Sequence, residues 1–131
     1  MAIAATGFSH AAIRVTDLPR AVEFYQRVFG LTTAVEGEGV TVLAHPGGFL
    51  LGIRAGDPRT KKGDRFDESR VGLDHLALAI SASTLEEAQR ELDRLGVRNN
   101  GIERDALTNA ELVTLYDPDG IAWELYALPD R

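Results

Sequence analysis

Cysteine is absent from this chain of 131 residues, which excludes disulfide staples, thiolate zinc sites and a thiol nucleophile. A surplus of positive charge is missing too. Fourteen Lys and Arg stand against twenty Asp and Glu, a formal net charge of −6. Such a balance is a poor electrostatic match for nucleic acid or an anionic membrane, so neither is an expected partner. Apolar runs reach only about five residues, as in Leu76 to Ile80, where ~20 are needed to span a bilayer. Residues 1–7 carry neither a basic segment nor a long apolar core, so they do not read as a signal peptide, and a cytoplasmic protein is the expectation. Histidine is scarce: His10, His45 and His75 are the full set. Any metal site must therefore combine these with carboxylates.

What is present describes an ordinary globular domain, with 44% hydrophobic and 26% charged residues. The length suits a single domain over residues 1–131. Within it the chain repeats itself. Phe8 to Val15 alternates between bulky apolar residues (Ala11, Ile13, Val15) and a parity holding His10 and Ala12. Leu73 to Ile80 does the same, with Leu76, Leu78 and Ile80 against His75, Ala77 and Ala79. Period-two patterns of this kind predict strands with the two sets on opposite faces, the histidines lying mid-strand.

A helix is predicted after each strand. Asp17 is positioned as its N-cap, Pro19 fits the first turn and Gly30 supplies the left-handed stop, with Leu18, Val22, Tyr25 and Phe29 as the apolar stripe. The second helix is expected to open on a capping box, Ser83 to Glu86, and to end at Gly96, with Leu85, Ala88, Leu92 and Leu95 facing inward. Turns then match: Ala44 to Gly48 with Tyr116 to Gly120, each centred on proline, and each followed by a strand, Phe49 to Arg54 and Ile121 to Tyr126. This alignment sets Gly52 against Glu124. The histidines are 65 positions apart and these last strands 72, so a longer loop is expected in the second copy, around Asn99 to Asn109. Each copy reads as strand, helix and three strands, over about 6–55 and 71–128, joined by a charged connector over about 56–70. The weakest strand patterns are Thr32 to Glu36 and the stretch near Ile102.

The pattern resembles the vicinal oxygen chelate superfamily, also called the glyoxalase/bleomycin resistance/dioxygenase superfamily. Carrying the resemblance are Ser9-His10-Ala11, the run from Asp17 to Tyr25, Phe29-Gly-Leu31, and Asp117-Pro-Asp-Gly120 leading to Glu124. It implies an α+β fold of two βαβββ modules whose strands form an open, cup-shaped eight-stranded sheet. It also implies a divalent metal in the cup, with His10, His75 and Glu124 at ligand positions and the remaining ligand position on Gly52. Homodimers are usual in the family, and the metal site is built either within one chain or across two.

The residues support such a site on chemical grounds. His10 and His75 occupy equivalent places on the less bulky face of their strands, and alternation sets Glu124 opposite Trp123 and Leu125. A carboxylate buried in a sheet without a partner is costly, and two imidazoles around a shared divalent ion would remove that cost. Two histidines and one carboxylate with open positions suit Fe(II), slightly favoured here, and also Mn(II), Zn(II) or Ni(II). The plain alternative is that the histidines are hydrogen-bonded rim residues and that Glu124 pairs with Arg54 or Arg14. His45 takes the place of Asp117 in its turn and reads as a solvent-exposed loop residue, not a ligand.

Gly52 removes the fourth ligand, and with it the proton-abstracting glutamate of typical glyoxalases. Three open positions favour a substrate held through two adjacent oxygens. Arg14 and Arg54 share the parity of His10 and Gly52 and either hold an anionic substrate group or extend to the rim. Tyr126, two residues after Glu124, either offers a phenol as a catalytic or substrate-binding group or packs the wall. Ring-cleaving dioxygenases carry a tyrosine where this chain has Thr114, and fosfomycin-modifying members a threonine where it has Ala12. Epimerases need an opposed pair of bases, for which Glu111 and Glu38 have no evident placement. The expectation is a metal-dependent enzyme acting on a small oxygen-bearing molecule, with dioxygenase-like chemistry at Fe(II) favoured. Glyoxalase, lyase or isomerase chemistry at Mn, Zn or Ni is the alternative, and sequestration of an antibiotic or metabolite is the rival from another class.

Overall fold

The computed structural model describes residues 2–60 and 62–129. The chain divides into two compact units, residues 1–62 and 63–131, and the division falls inside the expected connector. No helix among the described residues is long and apolar enough to cross a membrane.

The first unit contains β1 (Ala11–Val15), α1 (Leu18–Phe29), β2 (Thr32–Gly37), β3 (Val40–Ala44) and β4 (Leu50–Ala55). Its sheet runs β1-β4-β3-β2. The chain leaves β1, crosses through α1 to the far edge, and returns by two antiparallel steps, which brings β4 parallel to β1 with Ala12 opposite Gly52. The second unit repeats this with β5 (Leu76–Ser81), α2 (Leu85–Arg94), β6 (Asn99–Arg104), β7 (Glu111–Tyr116) and β8 (Ala122–Leu128), in the order β5-β8-β7-β6. Here Ala77 lies opposite Glu124. Each of these alanines is two residues past a histidine, so the register makes Gly52 and Glu124 equivalent places in the two copies. The eight strands are thus two four-stranded sheets, one per unit.

Local chemistry accounts for most element ends. Asp17 caps α1 by accepting from the Arg20 amide at 3.1 Å, and Gly30 ends it at φ 67°. At the end of α2, Gly96 (φ 71°) donates to Asp93 and Val97 to Leu92. This is a Schellman motif, and buried Val97 and Leu92 supply its apolar contact. The start of α2 differs from expectation. A 3-10 turn, Ala82–Thr84, precedes it, and no side chain caps it. Ser83 is engaged with the Ser81 hydroxyl and Thr84 with the Ser81 carbonyl, so the capping box does not form. The buried face of α1 is Ala21, Phe24 and Tyr25, rotated from the expected stripe, with Leu18, Val22 and Phe29 at its flank.

One edge strand of each sheet carries a register irregularity near its start, between Thr33 and Val35 in β2 and between Asn99 and Ile102 in β6. The expected long loop of the second copy is shorter than its predicted span. Residues 99–104 are strand, and only 105–110 are loop, against two residues between β2 and β3.

Alternation separates two faces in each sheet. In the first unit Val15, Leu43, Leu51 and Ile53 are buried with Tyr25 of α1. In the second, Val113, Leu115, Trp123 and Leu125 are buried with Leu85 and Leu92 of α2. Ala12, Arg14 and Arg54, and likewise Ala77 and Ala79, occupy the opposite, open faces.

Candidate functional site

Both histidines stand one residue before their strands begin, not within them as the alternation suggested. The ladders open at Ala11 and Leu76, so each histidine is held by the first rung while its ring lies beyond the hydrogen-bonded region. In each copy the preceding residue holds the ring. Ser9 Oγ lies 2.9 Å from His10 Nδ1, and Asp74 Oδ1 lies 2.7 Å from His75 Nδ1. The reading of the sequence missed Asp74, although a polar residue before each histidine was a signal visible in the repeat.

The topology that sets β5 beside β8 brings His75 against Glu124. Nε2 and Oε1 are 3.3 Å apart, with the Glu124 side chain 17% exposed. A carboxylate only accepts, so the Asp74 contact fixes the proton of a neutral His75 on Nδ1. Nε2 then presents a lone pair towards a carboxylate oxygen that presents another. Two lone pairs in that relation repel unless a proton or a metal ion lies between them. An imidazole nitrogen and a carboxylate oxygen that converge, the imidazole backed by a second carboxylate, fit a divalent ion of the Fe, Mn, Zn or Ni type. Among the described residues the close polar contact of Glu124 is His75. Among the described residues no three His, Asp or Glu side chains gather closely enough to hold a metal within this chain. His10 lies in the first unit, with Ser9 against its ring.

The remaining candidates have other engagements. Arg14 and Arg54 are opposite each other across β1 and β4, a like-charge pairing that is unfavourable on its own. Arg14 turns its guanidinium to the Ala55 carbonyl at 2.5 Å, and Arg54 is exposed. The Tyr126 phenol is on the Glu124 face but donates to Asp105 Oδ2 at 2.9 Å and touches the Thr108 hydroxyl, tying down the 105–110 loop. Bonds from the Leu107 amide, then from Tyr126, hold the Asp105 carboxyl below its usual range. His45 is half-buried, not fully exposed: it stacks on Phe49 at 4.8 Å and accepts from the Gly47 amide at 2.7 Å. That is the turn-closing role Asp117 plays toward Asp119 and Ile121. A Cβ at position 47 would sit 2.8 Å from the His45 ring, so any larger residue there would have to displace the ring.

Gly52 is different. A Cβ there meets Ala12 Cβ at 3.5 Å, an ordinary contact, and its backbone is not left-handed. Packing does not force the missing ligand. Gly52→Ala is accordingly expected to stabilise the protein by about 0.5–1 kcal/mol, since glycine inside a strand costs that much. The urea midpoint checks it, and a loss of stability would show that the position excludes side chains.

The family model for the Glyoxalase/Bleomycin resistance protein/Dioxygenase superfamily matches residues 7–125. Among solved structures the chain is similar to a glyoxylase/bleomycin resistance protein/dioxygenase domain from Frankia sp. EAN1pec. The TM-score is 0.80 and the identity 26%, over 98% of this chain and 94% of that one. It is also similar to FosX, a genomically encoded fosfomycin resistance protein from Listeria monocytogenes, with a TM-score of 0.76 and 21% identity over 95% and 92% of the two chains. Another FosX crystal, complexed with Mn(II) and a sulfate ion, matches with a TM-score of 0.74 and 22% identity over 95% and 91%. At such identities the FosX likeness is one of fold.

Proposed function

Since the chain belongs to the Glyoxalase/Bleomycin resistance protein/Dioxygenase superfamily, we propose that it is a divalent-metal-dependent enzyme acting on a small oxygen-bearing molecule. The observation that carries this reading is the 3.3 Å approach of His75 Nε2 to Glu124 Oε1, with Asp74 holding the far side of the imidazole. His75 and Glu124 would hold the ion, and His10, its equivalent in the first copy, is the third donor of the proposal. We read the working form as a homodimer, in which His10 is supplied by the same chain or by a second copy.

When bound, the ion would supply Lewis acidity, or oxygen activation if it is iron, to a substrate held through two adjacent oxygens. The protein's own contribution is positional. Asp74 fixes the ring that carries the donor nitrogen, Glu124 brings the negative charge that balances the ion, and Ala77 and Ala79 keep the sheet face low beside them. Gly52 leaves the fourth donor place vacant, which favours oxygen chemistry at Fe(II) over typical glyoxalase proton transfer. The FosX crystals with Mn(II) support the alternative of Lewis-acid chemistry at that ion.

The test is an anaerobic titration of the chelator-treated protein with Fe(II), Mn(II), Zn(II) and Ni(II). Saturable binding of one ion per chain is expected, and the preferred ion separates oxygen chemistry from Lewis-acid chemistry. No saturable binding of any of them would overturn the enzyme reading and leave sequestration of a small molecule in its place.

A further inference from the structure

A groove of about 430 Å³ lies wholly within the second unit, lined by Arg65, Phe66, Glu68, Arg98, Asn100 and Tyr116. Its two guanidiniums are set by their surroundings. Arg98 lies over the Tyr116 ring at 4.0 Å from its centre, and the ring is itself fixed by Asn100, whose amide donates to the phenol oxygen at 3.1 Å. Arg65 immediately precedes Phe66, whose amide donates to the Asp119 carbonyl, and lies against Gly120, where a Cβ would stand 3.6 Å from its Nη2. Among the described residues neither guanidinium is paired with a carboxylate. With Glu68 as the single carboxylate on the lining, the groove carries a net positive charge.

Its place in the sheet matters as much as its charge. Tyr116 is opposite Ala122 on β8, and Ala122 is two residues before Glu124 on the same parity. His75 precedes the Leu76–Trp123 rung on the other side of β8. His75, Ala122 and Tyr116 therefore form one row across three strands, about 10 Å wide by the usual interstrand spacing, with Glu124 one step above the middle. The stacked Arg98 stands at the end of this row.

We infer that the Arg65–Arg98–Tyr116 groove is an oxyanion-binding subsite for the substrate whose other end is held at His75 and Glu124. The inference rests on the metal reading for its second half only. A planar guanidinium fixed on an aromatic face offers its donors as a fork, which suits a phosphoryl or carboxylate group. The substrate class this names is a molecule with chelating oxygens at one end and an oxyanion several atoms away.

Inorganic phosphate and malonate are the probes for the first half, titrated calorimetrically into chelator-treated protein. Saturable binding of either is expected, weakened at least tenfold in both Arg98→Ala and Arg65→Ala and changed less than twofold in Glu124→Ala. No saturable binding of either probe, or equal binding by the arginine variants, overturns the subsite. The second half is tested with 3-phosphonopropionate in the presence of Mn(II), which is expected to bind at least tenfold tighter than phosphate. That gain is expected to vanish in Glu124→Ala. No gain in the wild type, with Mn(II) binding itself intact, overturns the link between groove and metal pair. Loss of Mn(II) binding alone would leave the oxyanion result standing.

Discussion

Glu124→Ala is expected to abolish saturable metal binding, with the apparent affinity falling at least 100-fold while the fold is retained. Glu124 is the anionic member of the proposed donor set, and without it two neutral imidazoles hold a divalent ion with no charge balance. Its side chain faces the open side of β8, where its close polar contact among the described residues is His75, so little packing is lost with it. Glu124→Gln, which keeps the volume and removes the charge, should fall nearly as far. Asp74→Asn acts one step out: the amide still meets the ring but holds its tautomer less strongly, and second-sphere changes of this kind weaken a metal site about 10–100-fold. The measurement is the same anaerobic titration, with circular dichroism to show that each variant is folded. Binding unchanged in Glu124→Ala would sink the proposed donor set outright.

One residue earlier in the chain the expected effect is reversed in kind. Trp123→Ala should cost about 3–5 kcal/mol, the range for truncating a buried large aromatic, against a total stability of about 5–15 kcal/mol for a domain of this size. Trp123 is 2% exposed and lies on the packed face of β8, opposite Leu115 and Leu76 in the ladders. Nothing refills the space without moving strands. Urea denaturation reads the loss as a lower midpoint, and metal affinity per folded molecule should hold. A shift equivalent to less than about 1 kcal/mol would mean the indole is not part of the core that this strand organises. Adjacent residues thus separate chemistry from stability, because a strand sends them to opposite faces.

Legibility in the sequence followed the strength of the local signal. The repeat sets Gly52 against Glu124, and the ladder register agrees, since a period of two leaves no latitude for a one-residue slip. Asp17, Gly30 and Gly96 marked helix ends because capping chemistry is local. The capping box at Ser83 failed because Ser81 competed for the same hydroxyls. The extra residues of the second copy were placed too early, because Asn99 to Arg104 has too few apolar residues to read as a strand and is held largely by its neighbour β7. At the candidate site the donor residues were legible, while their partners were not. Asp74 beside His75 was a local signal left unused, whereas Asp105 on Tyr126 and Arg98 on Tyr116 depend on chain paths that the sequence pattern does not encode.

The paired irregularities in β2 and β6 have a bearing on how the protein keeps company with itself. Each lies in an outermost strand, whose free backbone donors and acceptors would otherwise template another chain. A bulge breaks the even spacing such growth requires, and Gly101, at φ 75° within the second one, turns the backbone out of line. Two copies of one motif thus carry the same defect on the same edge. The defect costs each sheet part of a ladder, and it leaves these two borders unsuited to stacking into fibres.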